Sequence, residues 1–216
     1  MTSIYLVRHC QAQGNVNRVF QGRLDSEISE EGRRQLDRLA ERFRRIPLDA
    51  VYTSPLQRAR LTAEALNRYH GLPVRTDARF IEIDGGCWEG HSWEEFPHTD
   101  PQQCDDWLNA PWRFQTRGGE AMACVFARMA EGLTAVAAAH PGEAVAVASH
   151  GCAIRNALCW ARGWPIERLG EVPWADNTAV ALLAWEEGRP RIVFENDCSH
   201  LEEKPSQVET SSWWRK

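Results

Sequence analysis

The sequence predicts an α/β protein, a three-layer αβα sandwich built on a mostly parallel central sheet. Three observations carry this. Short apolar runs rich in β-branched residues alternate with segments of helical period. Such alternation implies a parallel sheet with helices on both faces. Three of the runs end on polar residues, at Arg8-His9, Ser54 and Ser149-His150-Gly151. In parallel strands these ends share one rim, and ligands bind beyond that rim.

The elements follow in order. Ile4–Arg8 is a short apolar run and reads as a buried strand. A polar loop occupies His9 to Ser29. Ser29 then caps a helix with Glu30 and Glu31 in its first turn, and Leu36, Leu39, Ala40 and Phe43 form its apolar face. Ala50–Thr53 is a second strand. Ser54-Pro55 opens the next helix, with Ser54 as N-cap, and Gly71 closes it. Helix resumes over Gly119–Ala139, followed by a strand at Glu143–Ala148 and a helix at Gly151–Ala161. Thr178–Trp185 and Arg191–Glu195 read as strands joined in a hairpin across Glu186–Pro190.

Residues 84–118 break this rhythm. They hold Trp88, Trp93, Trp107 and Trp112 with Phe96 and Phe114. They read as a partly helical insertion or lid near the rim, with the tryptophans serving packing rather than ligand contact. The chain is thus expected to be one domain over 1–201, followed by a polar, loosely ordered tail at 202–216.

Composition narrows the class. The 216 residues are 43% hydrophobic and 25% charged, near the globular averages. The 15 Gly and 11 Pro show no period, which excludes collagen-like and low-complexity chains. A net charge of −5 argues against nucleic-acid partners. The longest apolar run, near Ala144–Ala148, is far below the roughly 18 residues of a membrane span. The start lacks signal-peptide character, and the seven cysteines have no C-x-x-C spacing. Reduced thiols in a cytoplasm are the expectation.

Two imidazoles, an arginine and helix N-termini at one edge make an anion site. Arg58, one turn into its helix, can reach the same rim. Glu82 lies at the mouth of the Trp-rich segment, where a carboxyl can donate and accept a proton. A neutral His is a nucleophile toward phosphorus, so the set suggests phosphoryl transfer. Rival motifs fail. A cysteine-phosphatase H-C-x₅-R needs arginine at position 16, which is Val16. Gly90-His91-Ser92-Trp93-Glu94 misses the last glycine of a nucleophile elbow. No phosphate-binding or dinucleotide glycine motif occurs. Arg33, Arg34, Arg38, Arg42, Arg44 and Arg45 read as a solvated face. His70, His91, His98, His140 and His200 read as surface or structural.

An ordered series of segments resembles the histidine phosphatase superfamily, also called phosphoglycerate mutase-like. Leu6-Val7-Arg8-His9 with Asn15 is similar to its R-H-G-x-x-x-x-x-N start. Gly22-Arg23-Leu24-Asp25 through Gly32 and Ser54-Pro55-Leu56-Gln57-Arg58-Ala59 with Thr62-Ala63 follow its pattern. So do Glu82-Ile83 with Gly86-Cys87-Trp88-Glu89-Gly90, then Gly118-Gly119-Glu120 and Ser149-His150-Gly151. Asp197–Glu203 resembles the C-terminal region of the compact, broad-specificity phosphatases.

The resemblance implies a metal-independent phosphomonoesterase acting on a small-molecule phosphate ester, with no cofactor. His9 is implied as nucleophile, Glu82 as proton donor and acceptor. Arg8, Arg58 and His150 are implied as catalytic phosphate ligands, with Asn15 and Gly22 adding phosphate contacts. Cys10 and Gln11 depart from the usual Gly and Glu, and Cys10 reads as a small buried hydrophobe. The alternatives are a phosphoglycerate mutase, disfavoured by G-x-W-E-G in place of E-R-x-Y-G-x-L-x-G, and a non-catalytic phospholigand-binding protein. Neither the substrate nor the oligomeric state is specified by the sequence.

Overall fold

The computed structural model describes residues 1–201, so the tail at 202–216 lies outside the described residues. Six strands form one sheet: β1 (Thr2–Arg8), β2 (Ala50–Thr53), β3 (Val74–Thr76), β4 (Ala144–Ser149), β5 (Val180–Glu186) and β6 (Arg189–Asp197). Their order is β3-β2-β4-β1-β5-β6. The pairs β2–β3, β2–β4 and β1–β4 are parallel, while β5 is antiparallel to both β1 and β6. Strands β1 and β4 lie side by side at the centre and read as near-continuous apolar runs because both faces are covered. Ile4, Leu6, Val145, Ala146 and Val147 have no exposed surface. The register pairs Arg8 with Ser149 and Thr53 with Ala148. Three strands therefore end at one level, as the polar strand ends require.

One face is covered by α2 (Glu30–Phe43) and α3 (Gln57–Asn67), whose Leu39, Phe43, Ala59, Ala63 and Leu66 pack on Val7, Val51, Ala146 and Ala148. The other face is covered by α6 (Met122–Ala139) and α7 (Gly151–Ala161), packed on Ile4, Leu6, Val145 and Val147. The three layers follow. By length and composition α6 passes for a membrane span. Its Met122, Val125, Met129 and Leu133 are buried in this core, as in a core helix of a globular protein. Before α2 and α6 come the short α1 (Gln13–Val16), α4 (Phe96–Thr99) and α5 (Pro101–Asn109).

Several boundaries differ from the sequence expectation, each for a local reason. The Ser29 cap holds, with Oγ accepting from Gly32 N at 2.9 Å. Ser54-Pro55 does not start α3, which begins at Gln57 after an extended Leu56. Ser54 Oγ instead accepts from Leu56 N at 3.3 Å. α6 begins three residues late, at Met122, because its N-cap Ala121 is extended, with ψ 140°. The hairpin is tighter than expected: Glu187 and Gly188 both have positive φ, the backbone of a two-residue turn, and the strands run on to Glu186 and Arg189. Edge strand β3 has three exposed residues and no period, so no apolar pattern announced it. Arg42 leaves the solvated face, since its Nη2 reaches Asp197 Oδ2 at 2.6 Å.

Residues 84–118 contain two 3₁₀ turns beside α4 and α5. Their aromatic rings gather on one residue outside the segment, Phe20. Its ring centroid lies 5.7 Å from Trp88, 5.1 Å from Trp93, 5.4 Å from Trp107 and 6.2 Å from both Phe96 and Phe114. Backbone bonds sew the two stretches together: Phe20 N to His91 O and Gly90 N to Phe20 O, both 2.9 Å, and Trp93 N to Arg18 O at 3.1 Å. The tryptophans do serve packing, with Trp112 standing apart, 5.7 Å from the Arg113 guanidinium carbon. Phe20→Ala is expected to lower unfolding free energy by about 3–5 kcal/mol, the usual loss for a large buried ring. Denaturant unfolding measures it, and a loss under about 1 kcal/mol would show that the cluster does not centre on Phe20.

Candidate active site

The rim is built from strand ends. His9 continues β1 by one residue, its N–H donating to Ser149 O at 2.9 Å. Its Nδ1 lies 2.7 Å from Cys10 O. A carbonyl oxygen only accepts, so Nδ1 carries the proton and Nε2 keeps its lone pair. Burial, then the charges of Arg58 and Arg8, hold the His9 pKa well below 6.5. The ring is therefore neutral at physiological pH.

His150 is the N-cap of α7, and its ring centroid stands 5.2 Å from that of His9. Two imidazoles from opposite halves of the chain thus meet at one rim. His150 Nε2 lies 2.7 Å from Ser54 Oγ. That oxygen already accepts from Leu56 N, and its own proton is free for Nε2. This network assigns the ring proton to Nδ1. His150 is fully buried, and burial followed by the Arg58 charge keeps its pKa well below 6.5.

Two guanidinium groups complete the cup. Arg58 is 1% exposed; its Nη2 donates to Gly22 O at 2.6 Å and its Nη1 to Leu24 O at 2.7 Å, with Asp25 Oδ1 at 3.5 Å. Arg8 donates from Nη1 to Ala175 O. Burial lowers the pKa of both, opposed in each case by the Glu82 carboxylate. At this rim three buried donors, Arg8 Nε, Arg58 Nε and His150 Nδ1, have no partner among the described residues. A buried donor needs one, and an oxyanion would supply it.

Glu82 sits across the first turn of α7. Its Oε1 accepts from Ala153 N and Ile83 N, both at 3.0 Å, and its Oε2 from Cys152 N at 3.1 Å. This corrects one expectation. The helix N-termini are not open anion sites: Glu82 closes α7, and Asp25 closes α3, with both carboxylate oxygens 3.0 Å from Gln57 N. Side chains, not helix amides, make the anion cup. Asn15 lies in α1, where its Oδ1 accepts from Ala12 N at 3.0 Å and its amine stays a donor. Gly22 is required twice over: φ is 50°, and a Cβ would stand 2.1 Å from Glu89 Oε1.

The remaining histidines are structural or exposed. His140 Nδ1 meets Glu143 Oε2 at 2.6 Å and its Nε2 meets Tyr52 Oη at 3.0 Å. Sequence reasoning missed Arg23, which donates to Asp84 at 3.3 Å and Glu120 at 3.2 Å beside Glu82, and it missed Trp174 and Asn177. Gly151 is the clue to Trp174, since a Cβ there would meet Arg8 Nε and Trp174 Cζ3 at 3.4 Å. Among the described residues no group of three or more His, Cys, Asp or Glu could hold a metal ion.

The family model described as histidine phosphatase superfamily, branch 1, matches residues 4–198. The chain belongs to the histidine phosphatase superfamily. It is 34% identical over 206 residues to phosphoserine phosphatase 1 of Hydrogenobacter thermophilus, covering 94% of this chain and 96% of that one. It is 32% identical over 154 residues to a probable phosphoglycerate mutase of Cronobacter sakazakii, covering 71% and 72%. The solved structure of Bacillus stearothermophilus YhfR superposes with a TM-score of 0.89 at 32% identity, covering 94% and 100%. Within this histidine phosphatase, Cys10 fills the place where the resemblance has Gly. It is fully buried beside Ala12 and Ile28, and its N–H donates to Thr62 Oγ1 at 3.0 Å.

Burial pushes the Cys10 thiol up to about 11. Thiolate is the reactive form, so Cys10 is inert in the folded protein. At pH 8, iodoacetamide is expected to modify exposed Cys87 and Cys124 while sparing buried Cys10, Cys152 and Cys159. Peptide mass spectrometry reads this, and fast labelling of Cys10 would contradict its burial.

Proposed function

We propose that the chain hydrolyses small phosphate monoesters through a phosphohistidine on His9. The observation that supports this most is the set of three unpaired buried donors beside a neutral His9 ring. A phosphoryl group against Nε2 finds Arg8, Arg58 and His150 for its oxygens, and the Asn15 amine and Gly22 N–H add further donors. In-line attack by Nε2 forms the N–P bond as the P–O ester bond breaks. Glu82, carrying the proton it took from water in the preceding turnover, gives it to the leaving alkoxide, so the alcohol departs neutral. Water then attacks phosphorus, Glu82 takes the water proton, and phosphate leaves with His9 restored. The cationic cup neutralises charge on the transferring group, the dominant source of catalysis in phosphoryl transfer.

The reading treats residues 1–201 as one phosphatase domain with 84–118 bordering the site. The name of the Hydrogenobacter relative makes phosphoserine the first ester to try. The cysteines are free thiols, in keeping with a reducing cytoplasm.

Wild-type protein is expected to release phosphate from p-nitrophenyl phosphate and phosphoserine, and to trap acid-labile phosphate during turnover. His9→Ala should trap none and lose more than about 10³-fold in kcat, the scale of losing a covalent nucleophile. Undiminished trapping in His9→Ala removes the nucleophile assignment. Interconversion of 2- and 3-phosphoglycerate with little phosphate release would instead establish the mutase. Glu82→Gln is expected to lower kcat by about 10²–10⁴-fold, the usual worth of a general acid and base; wild-type kcat would move that role to another group.

Both histidines titrate well below 6.5 when folded, so the unfolded chain binds more protons just below that value. Their contribution to stability is complete above pH 6.5 and is lost as pH falls from there toward the folded values. Activity should follow the same direction: kcat/KM should show no protonation step at the ordinary histidine value. A sharp loss centred at pH 6.5 would mean that the His9 ring titrates freely.

A further inference from the structure

The peptide joining His9 to Cys10 is clamped from both sides by groups that the chemistry above leaves unused. On its N–H side, Cys10 N donates to Thr62 Oγ1 at 3.0 Å. On its carbonyl side, Asn177 Nδ2 donates to His9 O at 2.8 Å. The N–H of Thr178 stands 3.3 Å from the same oxygen and 3.1 Å from Arg8 O. Asn177 is 1% exposed and Thr178 fully buried.

The backbone that delivers these donors is strained. Thr178 has φ 60°, and a β-branched residue rarely adopts that conformation. Strain of this kind persists only where the surroundings over-determine it, and it clusters at functional sites. Here the Thr178 hydroxyl donates to Asn177 O at 2.7 Å, and its oxygen lies 3.1 Å from His200 Nε2. Just upstream, Ala175 O takes Arg8 Nη1. One short segment, 174–178, thus grips both the first phosphate ligand and the nucleophile.

The consequence for His9 is geometric. Its ring is aimed by the bond from Nδ1 to Cys10 O, one peptide away. Rotation of the 9–10 peptide would therefore swing Nε2. We propose that Asn177 is a positioning residue for His9, holding the 9–10 peptide so that Nε2 faces the phosphoryl group. This rests on the reading of His9 as nucleophile.

The test uses Asn177→Asp, which keeps the shape and exchanges the donor for an oxygen. Turnover of p-nitrophenyl phosphate at neutral pH should fall about 10- to 100-fold, the cost of misplacing a reacting atom by about an ångström. KM and the vanadate inhibition constant should stay within about twofold, because the phosphate ligands are untouched. The deficit should shrink as pH is lowered, since a protonated carboxyl can again donate to His9 O. Asn177→Ala should show the same loss without recovery. Wild-type turnover in Asn177→Asp, with phosphate trapped normally on His9, overturns this role alone. A parallel fall in kcat, vanadate affinity and Tm also overturns it, by making Asn177 a fold support. Failure of the wild type itself to trap phosphate on His9 overturns the functional reading and this role together.

Discussion

Two guanidinium groups, Arg58 buried and Arg8 partly buried, set the terms for the rest of the molecule. Taking a charge out of water costs several kcal/mol even after relaxation. Arg58 is 1% exposed, and Arg8 sits at the end of the central strand. Much of the surrounding chain makes that burial tolerable. The loop after β1 exists in its observed shape because Gly22 and Leu24 turn their carbonyls onto Arg58. Gly22 can do so only at positive φ, with Glu89 occupying the space a side chain would need. Ala175 offers its carbonyl to Arg8 in the same way. Among the described residues, Arg8 Nε and Arg58 Nε are left without a partner.

The carboxylates divide this charge rather than cancel it. Glu82 and Asp25 each lie close enough to raise the pKa of Arg58. Yet each also accepts backbone N–H bonds at a helix start, which ties its position to α7 or α3. The two imidazoles remain neutral because burial and the arginines oppose a further positive charge. One constraint thus yields both a cationic cup and an unprotonated His9 ring. Exposed arginines could not have achieved the second, because solvent would screen them.

The sheet, its layers and the meeting of His9 with His150 were legible because apolar period and strand ends are local signals. Ala50–Thr53 and Gly151–Ala161 appear with their expected bounds. The closed helix N-termini were not legible. Asp25 meets Gln57 across 32 positions and Glu82 meets Cys152 across 70, and no spacing rule relates them. Edge strand β3 carries no apolar residue pattern, because no face of it is buried. Trp174 and Asn177 lie in a stretch with neither helical nor strand period, so only contact with Gly151 and His9 gives them meaning. The resemblance supplied what spacing could not, a role for Glu82 among several neighbouring acids.

The Trp-rich segment shows how packing can serve chemistry without touching it. Trp88, Phe96, Trp107 and Phe114 are buried around Phe20, two residues before Gly22. Such rings lose little conformational freedom and bury large areas, so the cluster is a rigid anchor. Through the backbone bonds at Phe20 and Gly90 it fixes the loop that carries Gly22, Leu24 and Asp25. The polar groups at the lip follow from the same segment: Glu89 takes Arg23 N at 2.7 Å, and Asp84 takes the Arg23 guanidinium. The aromatic residues therefore act on Arg58 through the loop, while the lip beside Glu82 is polar and charged. Arg23, Asp84 and Glu120 frame the lip beside Glu82, while the tryptophan rings hold the loop.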